Sequence, residues 1–375
     1  MKNETRIFYI DNLRIFLIGL VVLHHLSITY GASGSWYYIE TEGDTLTSLI
    51  LTMFAATNQS FFMALFFLIS AYFTRISLER KTIGTFLKDR AIRLGVPLLI
   101  FYFILSPLTI YMKLRFGDGD DIGFFEFVKQ SQGFGFGPLW FVETLIYFSI
   151  IYVIIRLIFK NNLSAPSVLP GFPGTINIIL VALGISLVSF IVRLWLPLGS
   201  ELGGTGLQLP YFPQYIAMLI FGILFAKYKW FEAITYRQGL AWFLTAQVFI
   251  FIIFPLMLII GTKTSGIDSY MGGLNWQAAS LAIWEQMVGF SLIIGLTGIF
   301  KEKFNTQAKI GSLLSGAAYA VFIIHPFVVV TLTILLKNWL VYPFLKFVII
   351  APFALFFCFG IGILLKKIPV VNKAI

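Results

Sequence analysis

The chain has 375 residues, 58% of them hydrophobic and only 12% charged, with a net charge of +10 and a mean hydropathy of +0.89. A soluble domain carries about 25% charged residues, so a soluble globular protein is excluded. The positive charge is spread over connecting segments, which argues against nucleic acid as a partner and for a lipid bilayer.

Ten apolar spans are expected in chain order, at about 13–30, 49–73, 94–112, 138–159, 175–195, 211–228, 239–261, 277–300, 311–336 and 339–365. They imply an all-α, polytopic membrane bundle, because runs this long and evenly apolar do not suit barrel strands. Gly31-Ala32-Ser33-Gly34 after span one resembles a leader-cleavage site, but the span's length and its two histidines favour a retained helix. The segments between spans alternate in charge. Lys2 and Arg6 precede span one, and Glu40, Glu42 and Asp44 follow it. Arg75, Arg80, Lys81, Lys88, Arg90 and Arg93 come next, then Asp118, Asp120, Asp121 and Glu126. Lys160, Glu201, Lys227 with Lys229 and Arg237, Lys263 with Asp268, Lys301 with Lys303 and Lys309, and a short turn continue the alternation to Lys366, Lys367 and Lys373. Basic segments on one side place both termini in the cytoplasm of a plasma (inner) membrane. Residues 76–93 read as an amphipathic helix lying on that surface. Loop 113–137, with Gly117, Gly119, Gly133, Gly135 and Gly137, is the largest external segment and suits a mobile lid or a binding loop. The whole of 1–375 is expected to be one integral-membrane domain with no soluble domain. The single Cys358 excludes an intrachain disulfide, and three histidines make a metal site improbable.

Span one carries Arg14 and His25, eleven residues apart. At about 100° per residue, eleven steps return to within roughly 20°, so both share one helix face, roughly 16 Å apart along the axis. His24 lies about 80° off that line. Counting residues from the span ends puts His25, Glu143 and His325 at similar depth in the outer half of the bilayer. Two imidazoles and a carboxylate at one level suit proton handling. Glu285, Gln214, Gln247 and the Asn58-Gln59-Ser60 cluster are further intramembrane polar groups. Each has a structural alternative, since buried polar side chains also join helices by hydrogen bonds. His325 precedes Pro326, which frees a carbonyl one turn back and so serves helix geometry as well. Trp36, Tyr37, Tyr38, Trp140, Trp276 and Trp339 suit the interfacial aromatic belt. At the inner side Arg90 and Arg93 share a face and have the fork geometry that binds phosphate. With Arg14 they could hold a phosphorylated donor whose slender arm, such as the pantetheine of coenzyme A, reaches His25.

Tyr9-Ile10-Asp11-Asn12-Leu13-Arg14 followed by His24-His25 resembles the transmembrane acyltransferase 3 family, and most of all its glucan-biosynthesis protein C group. Phe66-Phe67-Leu68-Ile69-Ser70-Ala71-Tyr72-Phe73, Arg90-Ala91-Ile92-Arg93 before Pro97, Pro138-Leu139-Trp140-Phe141, and Tyr319 through His325-Pro326 also fit, over nearly the whole chain. Ala71 departs from the family's usual glycine, which loosens a close helix contact. The resemblance implies transfer of an acetyl or succinyl group from cytoplasmic acyl-CoA to a hydroxyl of an extracytoplasmic glycan or similar acceptor. Arg14 and His25 match its essential pair, and Arg90 and Arg93 its second basic motif. His25 would be general base or transient acyl carrier, with Glu143 or His325 orienting it or relaying its proton. Some relatives carry a fused soluble domain; this chain would act either alone or with a separate extracytoplasmic partner. No metal is implied. The rival reading is a proton-coupled transporter or flippase, against which there is no inverted repeat.

Overall fold

Ten stretches form helices long and apolar enough to cross a bilayer: α1 (Phe8–Thr29), α2 (Thr45–Arg80), α3 (Ile83–Asp118), α4 (Gly137–Ile158), α5 (Thr175–Val192), α6 (Leu209–Tyr228), α7 (Tyr236–Gly261), α8 (Trp276–Lys303), α9 (Lys309–Leu335) and α10 (Pro343–Leu365). Each falls on one expected span, in order. The structure, a computed structural model, describes residues 6–130, 133–159, 170–203, 205–264 and 266–374. Lys2 and Lys160, used in the charge alternation, lie outside the described residues. Among the described residues there is no strand. The chain is an all-α, multi-pass bundle.

The helices are unequal in burial, and the inequality locates the core. In α2, α8 and α9, 78%, 72% and 72% of the apolar window is buried, against 22% in α5 and α7. α1 packs against α2, α8, α9 and α10, so the Arg14–His25 helix runs through the middle. Lipid tails are as apolar as leucine, so helix association depends on close packing through small residues. A Cβ on Gly222 of α6 would lie 2.3 Å from the Leu68 carbonyl oxygen and 2.6 Å from the Ala71 Cβ of α2. The close approach near Ala71 is therefore made by a glycine on the opposite helix.

The expected surface helix at 76–93 is not a separate element. Residues 76–80 finish α2, only Lys81 and Thr82 intervene, and 83–93 open the unbroken α3. The Thr82 hydroxyl caps α3 by accepting from the Thr85 amide. Along α3 and α7 the helix widens into π-turns at Ala91–Gly95, Phe101–Leu105 and Phe249–Ile253. Each of these ends two residues before a proline, Pro97, Pro107 or Pro255, whereas a further π-turn at the end of α3, Lys113–Asp118, has no such proline. Proline has no N–H for the carbonyl four residues back, and the helix accommodates the missing bond by widening. At Pro97 the freed carbonyl is that of Arg93, and it accepts from the Tyr319 hydroxyl of α9 at 2.9 Å.

An even number of crossings puts both chain ends at one face, called here the terminal face. Asn12 of α1 donates to the Phe304 and Thr306 carbonyls between α8 and α9, at 2.8 and 2.9 Å. Arg6 reaches Ser312 and Ser315 at 3.1 and 2.6 Å. These bonds fix the start of α1, and hence the depth of His25.

Candidate active site

After α1 the chain doubles back. Gly31 has φ +115°, a backbone state that favours glycine, and packs against the backbone of Glu42 and Gly43. The Ser48 hydroxyl donates to the Gly31 carbonyl at 2.6 Å, and the Glu40 amide to the Thr29 carbonyl at 3.0 Å. The Glu40 carboxylate pairs with Lys346 Nζ of α10 at 2.5 Å, where the lysine side chain is 1% exposed. The loop so pinned lays Trp36 over His25, with ring centroids 4.0 Å apart and planes 13° from parallel. Burial pushes the Glu40 carboxyl above its usual range, against the opposing pull of Lys346.

His325 of α9 completes a cluster of three near-parallel rings. Its centroid lies 5.2 Å from that of His25 and 6.1 Å from that of Trp36. The effect of Pro326 on α9 is specific. The carbonyl it leaves unclaimed belongs to Phe322, and His325 Nδ1 lies 2.7 Å from it. A carbonyl oxygen only accepts, so Nδ1 carries a proton and neutral His325 presents Nε2 as a lone pair. That Nε2 is buried and has no hydrogen-bond partner in the protein; the same is true of His25 Nδ1. Pro326→Ala is expected to return a backbone donor to Phe322 and release His325 Nδ1. ¹⁵N imidazole spectra should then change from one neutral tautomer to a mixture, and transfer should slow severalfold. An unchanged tautomer would show that the proline has no part in fixing it.

His25 and His24 also line a cavity of about 1150 Å³. Its rim comes from the α1–α2, α5–α6 and α7–α8 connections, through Ser33, Gly199, Glu201 and Met271 among others. All three connections lie at the face opposite the chain ends. The wall also includes Gln59, Trp140, Tyr211 and Glu285, of which Trp140 and Tyr211 stand in the first turns of α4 and α6. Trp140 and Tyr211 flank Tyr215 in a run of rings within 24° of parallel. Glu143 is placed differently. One turn along α4 from Trp140, it accepts from the Tyr147 hydroxyl at 2.6 Å, and it is not among the residues lining the cavity.

At the terminal face Arg14 is 3.7 Å from Asp11, whose carboxylate is held at 2.6 Å by Arg6. Arg14 therefore keeps only a long share of that carboxylate, and its side chain is 39% exposed. Arg90 donates to the Thr74 hydroxyl at 2.8 Å and its guanidinium lies 5.1 Å from the Phe86 ring. Arg93 is exposed, on the first π-turn. α9 is the shared support, holding α1 through Arg6 and α3 through the Arg93 carbonyl.

Some site residues escape sequence reasoning. Trp36 reads as interfacial belt, and nothing in its spacing points back to His25. Lys346 and Arg193 do leave a signal, being cations in or at the edge of apolar spans, where an ionisable group needs a partner. The partners are Glu40 and Glu285, the latter 2.5 Å from Arg193 with both side chains nearly inaccessible.

The bundle and its imidazole cluster define a multi-pass helical membrane protein with a histidine-lined cavity towards one face and arginines at the other. The acyltransferase 3 family profile, described as an acyltransferase domain, matches residues 7–363. The chain belongs to that family. It is 29% identical over 162 residues to "Glucans biosynthesis protein C" of Shigella dysenteriae serotype 1 (strain Sd197), covering 42% of this chain and 41% of that protein. The protein of the same name from Escherichia coli (strain K12) is 28% identical over the same shares. The match thus spans about two-fifths of the length of these curated relatives. No solved structure matches the chain.

Proposed function

We propose that this acyltransferase moves an acetyl or succinyl group from cytoplasmic acyl-CoA to a hydroxyl of an extracytoplasmic glycan or similar acceptor, across the plasma (inner) membrane and within one integral-membrane domain. The observation that carries the reading is the placement of α1. One central helix presents Arg14 at the terminal face and His25 to a cavity rimmed by the opposite face. Arg14, Arg90 and Arg93 hold the phosphates of the donor, and the thioester end lies along α1 towards His25. The acceptor enters the cavity. Its oxygen bonds to the acyl carbon, the carbon–sulfur bond breaks, and the hydroxyl proton passes through imidazole to the departing sulfur. His25 acts either as base on the hydroxyl or as the carrier of the acyl group between the two events.

Of the two relay candidates, His325 takes the role. Both keep a buried atom without a hydrogen-bond partner, His325 its Nε2 and Glu143 its Oε2, but only His325 is in ring contact with His25, and Glu143 binds Tyr147 and does not line the cavity. Trp36 presents its face to His25, which suits the imidazolium that forms when the hydroxyl is deprotonated.

Arg14→Gln is expected to weaken acyl-CoA binding about tenfold, the cost of one charge-assisted phosphate contact. Titration of acyl-CoA into detergent-purified protein measures it. An unchanged dissociation constant would remove Arg14 from the donor site.

A further inference from the structure

The cavity that holds His25 also carries information about what enters it. Its volume of about 1150 Å³ exceeds the roughly 300–1,000 Å³ of a pocket for a drug-sized ligand, so it has room for more than a single sugar ring. No lysine or arginine is among the lining residues; the carboxylates there are Glu201 at the rim and Glu285 deeper in. An anion taken into such a wall would lose water and gain no cation, which is costly. The rest of the polar lining is amide, hydroxyl and imidazole, as at Gln59, Ser48 and Tyr211.

Glu285 is the most distinctive of these groups. It is 5% exposed and lines the cavity, with Arg193 at 2.5 Å on its other side. Arg193 is not among the lining residues and lies 5.4 Å from the Tyr211 ring. The two charges touch, but neither Glu285 Oε2 nor Arg193 Nε and Nη1 has a hydrogen-bond partner of proper geometry. The ion pair engages the buried Oε2 alone, so Oε1 is the oxygen left to accept from another donor. Neighbouring hydroxyls of a sugar are such donors, and the C–H faces of a sugar ring pack on aromatic rings like Trp140 and Tyr211.

Resting on the acyltransfer reading above, we propose that Glu285, backed by Arg193, is a specificity-determining residue that anchors an uncharged polyhydroxylated acceptor and that the cavity rejects anionic ones. The probes are a linear oligosaccharide of glucose and the same-length oligomer of glucuronic acid, titrated without donor into the purified full chain. Wild type should bind the neutral oligomer at least about tenfold more tightly. The double change Arg193→Met with Glu285→Met removes both charges together, which buried pairs often tolerate. It should melt near wild type yet bind the neutral oligomer about tenfold or more weakly, the loss expected for a hydrogen bond to a charged group. Equal or tighter binding of the acidic oligomer, binding of neither, or undiminished binding by a folded double variant each overturns the proposal. If the double variant does not fold, the wild-type preference alone decides. His25-dependent turnover of acyl-CoA, measured on the same wild-type preparation, reports separately on whether the acyltransfer reading stands.

Discussion

Replacing His25 with alanine is expected to lower acyl transfer by at least about 10²–10⁴-fold, the range that a positioned acid–base group contributes, and to leave acyl-CoA binding within a few-fold of wild type. The division follows from the length of α1. The arginines proposed to meet the donor phosphates stand at the terminal face, held by α9, while His25 stands on the far side of the bundle's middle among Trp36 and His325. Removing the imidazole leaves the bonds of Arg6, Asn12 and Arg90 in place. It takes away the proposed base or acyl carrier, an imidazole that stacks on His325 and lines the cavity. Thioester turnover and equilibrium binding, measured on one preparation of each protein, separate the two effects. A variant that keeps a tenth of wild-type turnover, or that loses donor binding as Arg14→Gln does, would sink the assignment.

The fold was legible because hydropathy alone decides where a chain crosses a bilayer: all ten spans could be read, although their ends were not. α3 begins at Ile83 rather than near residue 94, since charged residues such as Lys88, Arg90 and Arg93 do not stop a helix whose cap, Thr82, lies further back. Helical periodicity aligned Arg14 with His25, but it works along one helix only. Which ring of another helix meets His25 depends on tertiary contacts, so depth counting put Glu143 and His325 on equal terms. The structure brings His325 to His25, and gives Glu143 to Tyr147. Pro326 could be seen to free a carbonyl; that His325 itself would claim it could not. Trp36 was hidden for another reason. Its position depends on a loop closed by Gly31 and by an ion pair between residues 306 apart in sequence.

That ion pair is the basis of the second large effect. Lys346→Met leaves the Glu40 carboxylate, only 16% exposed, without its cation. Breaking a buried pair from one side costs about 3–5 kcal/mol, and we expect about 3 kcal/mol, the low end, because Glu40 keeps some contact with water. The sign of the pH dependence follows from the direction of the Glu40 shift. Burial already raises its carboxyl above the usual range, while the hydrogen bond and charge of Lys346 oppose the rise. Without the lysine the rise is larger. A carboxyl whose pKa is raised on folding adds stability below its unfolded pKa and loses that contribution as pH climbs through the folded value. The variant should therefore melt close to wild type in acid and progressively below it towards alkaline pH. Glu40→Gln added to Lys346→Met should recover most of the loss, since a neutral amide needs no cation. Because the same loop carries Trp36, the single variant should also transfer acyl groups more slowly at temperatures where it remains folded. A deficit that deepens in acid, or one that Glu40→Gln does not relieve, would mean that the loop is held over His25 by something other than this pair.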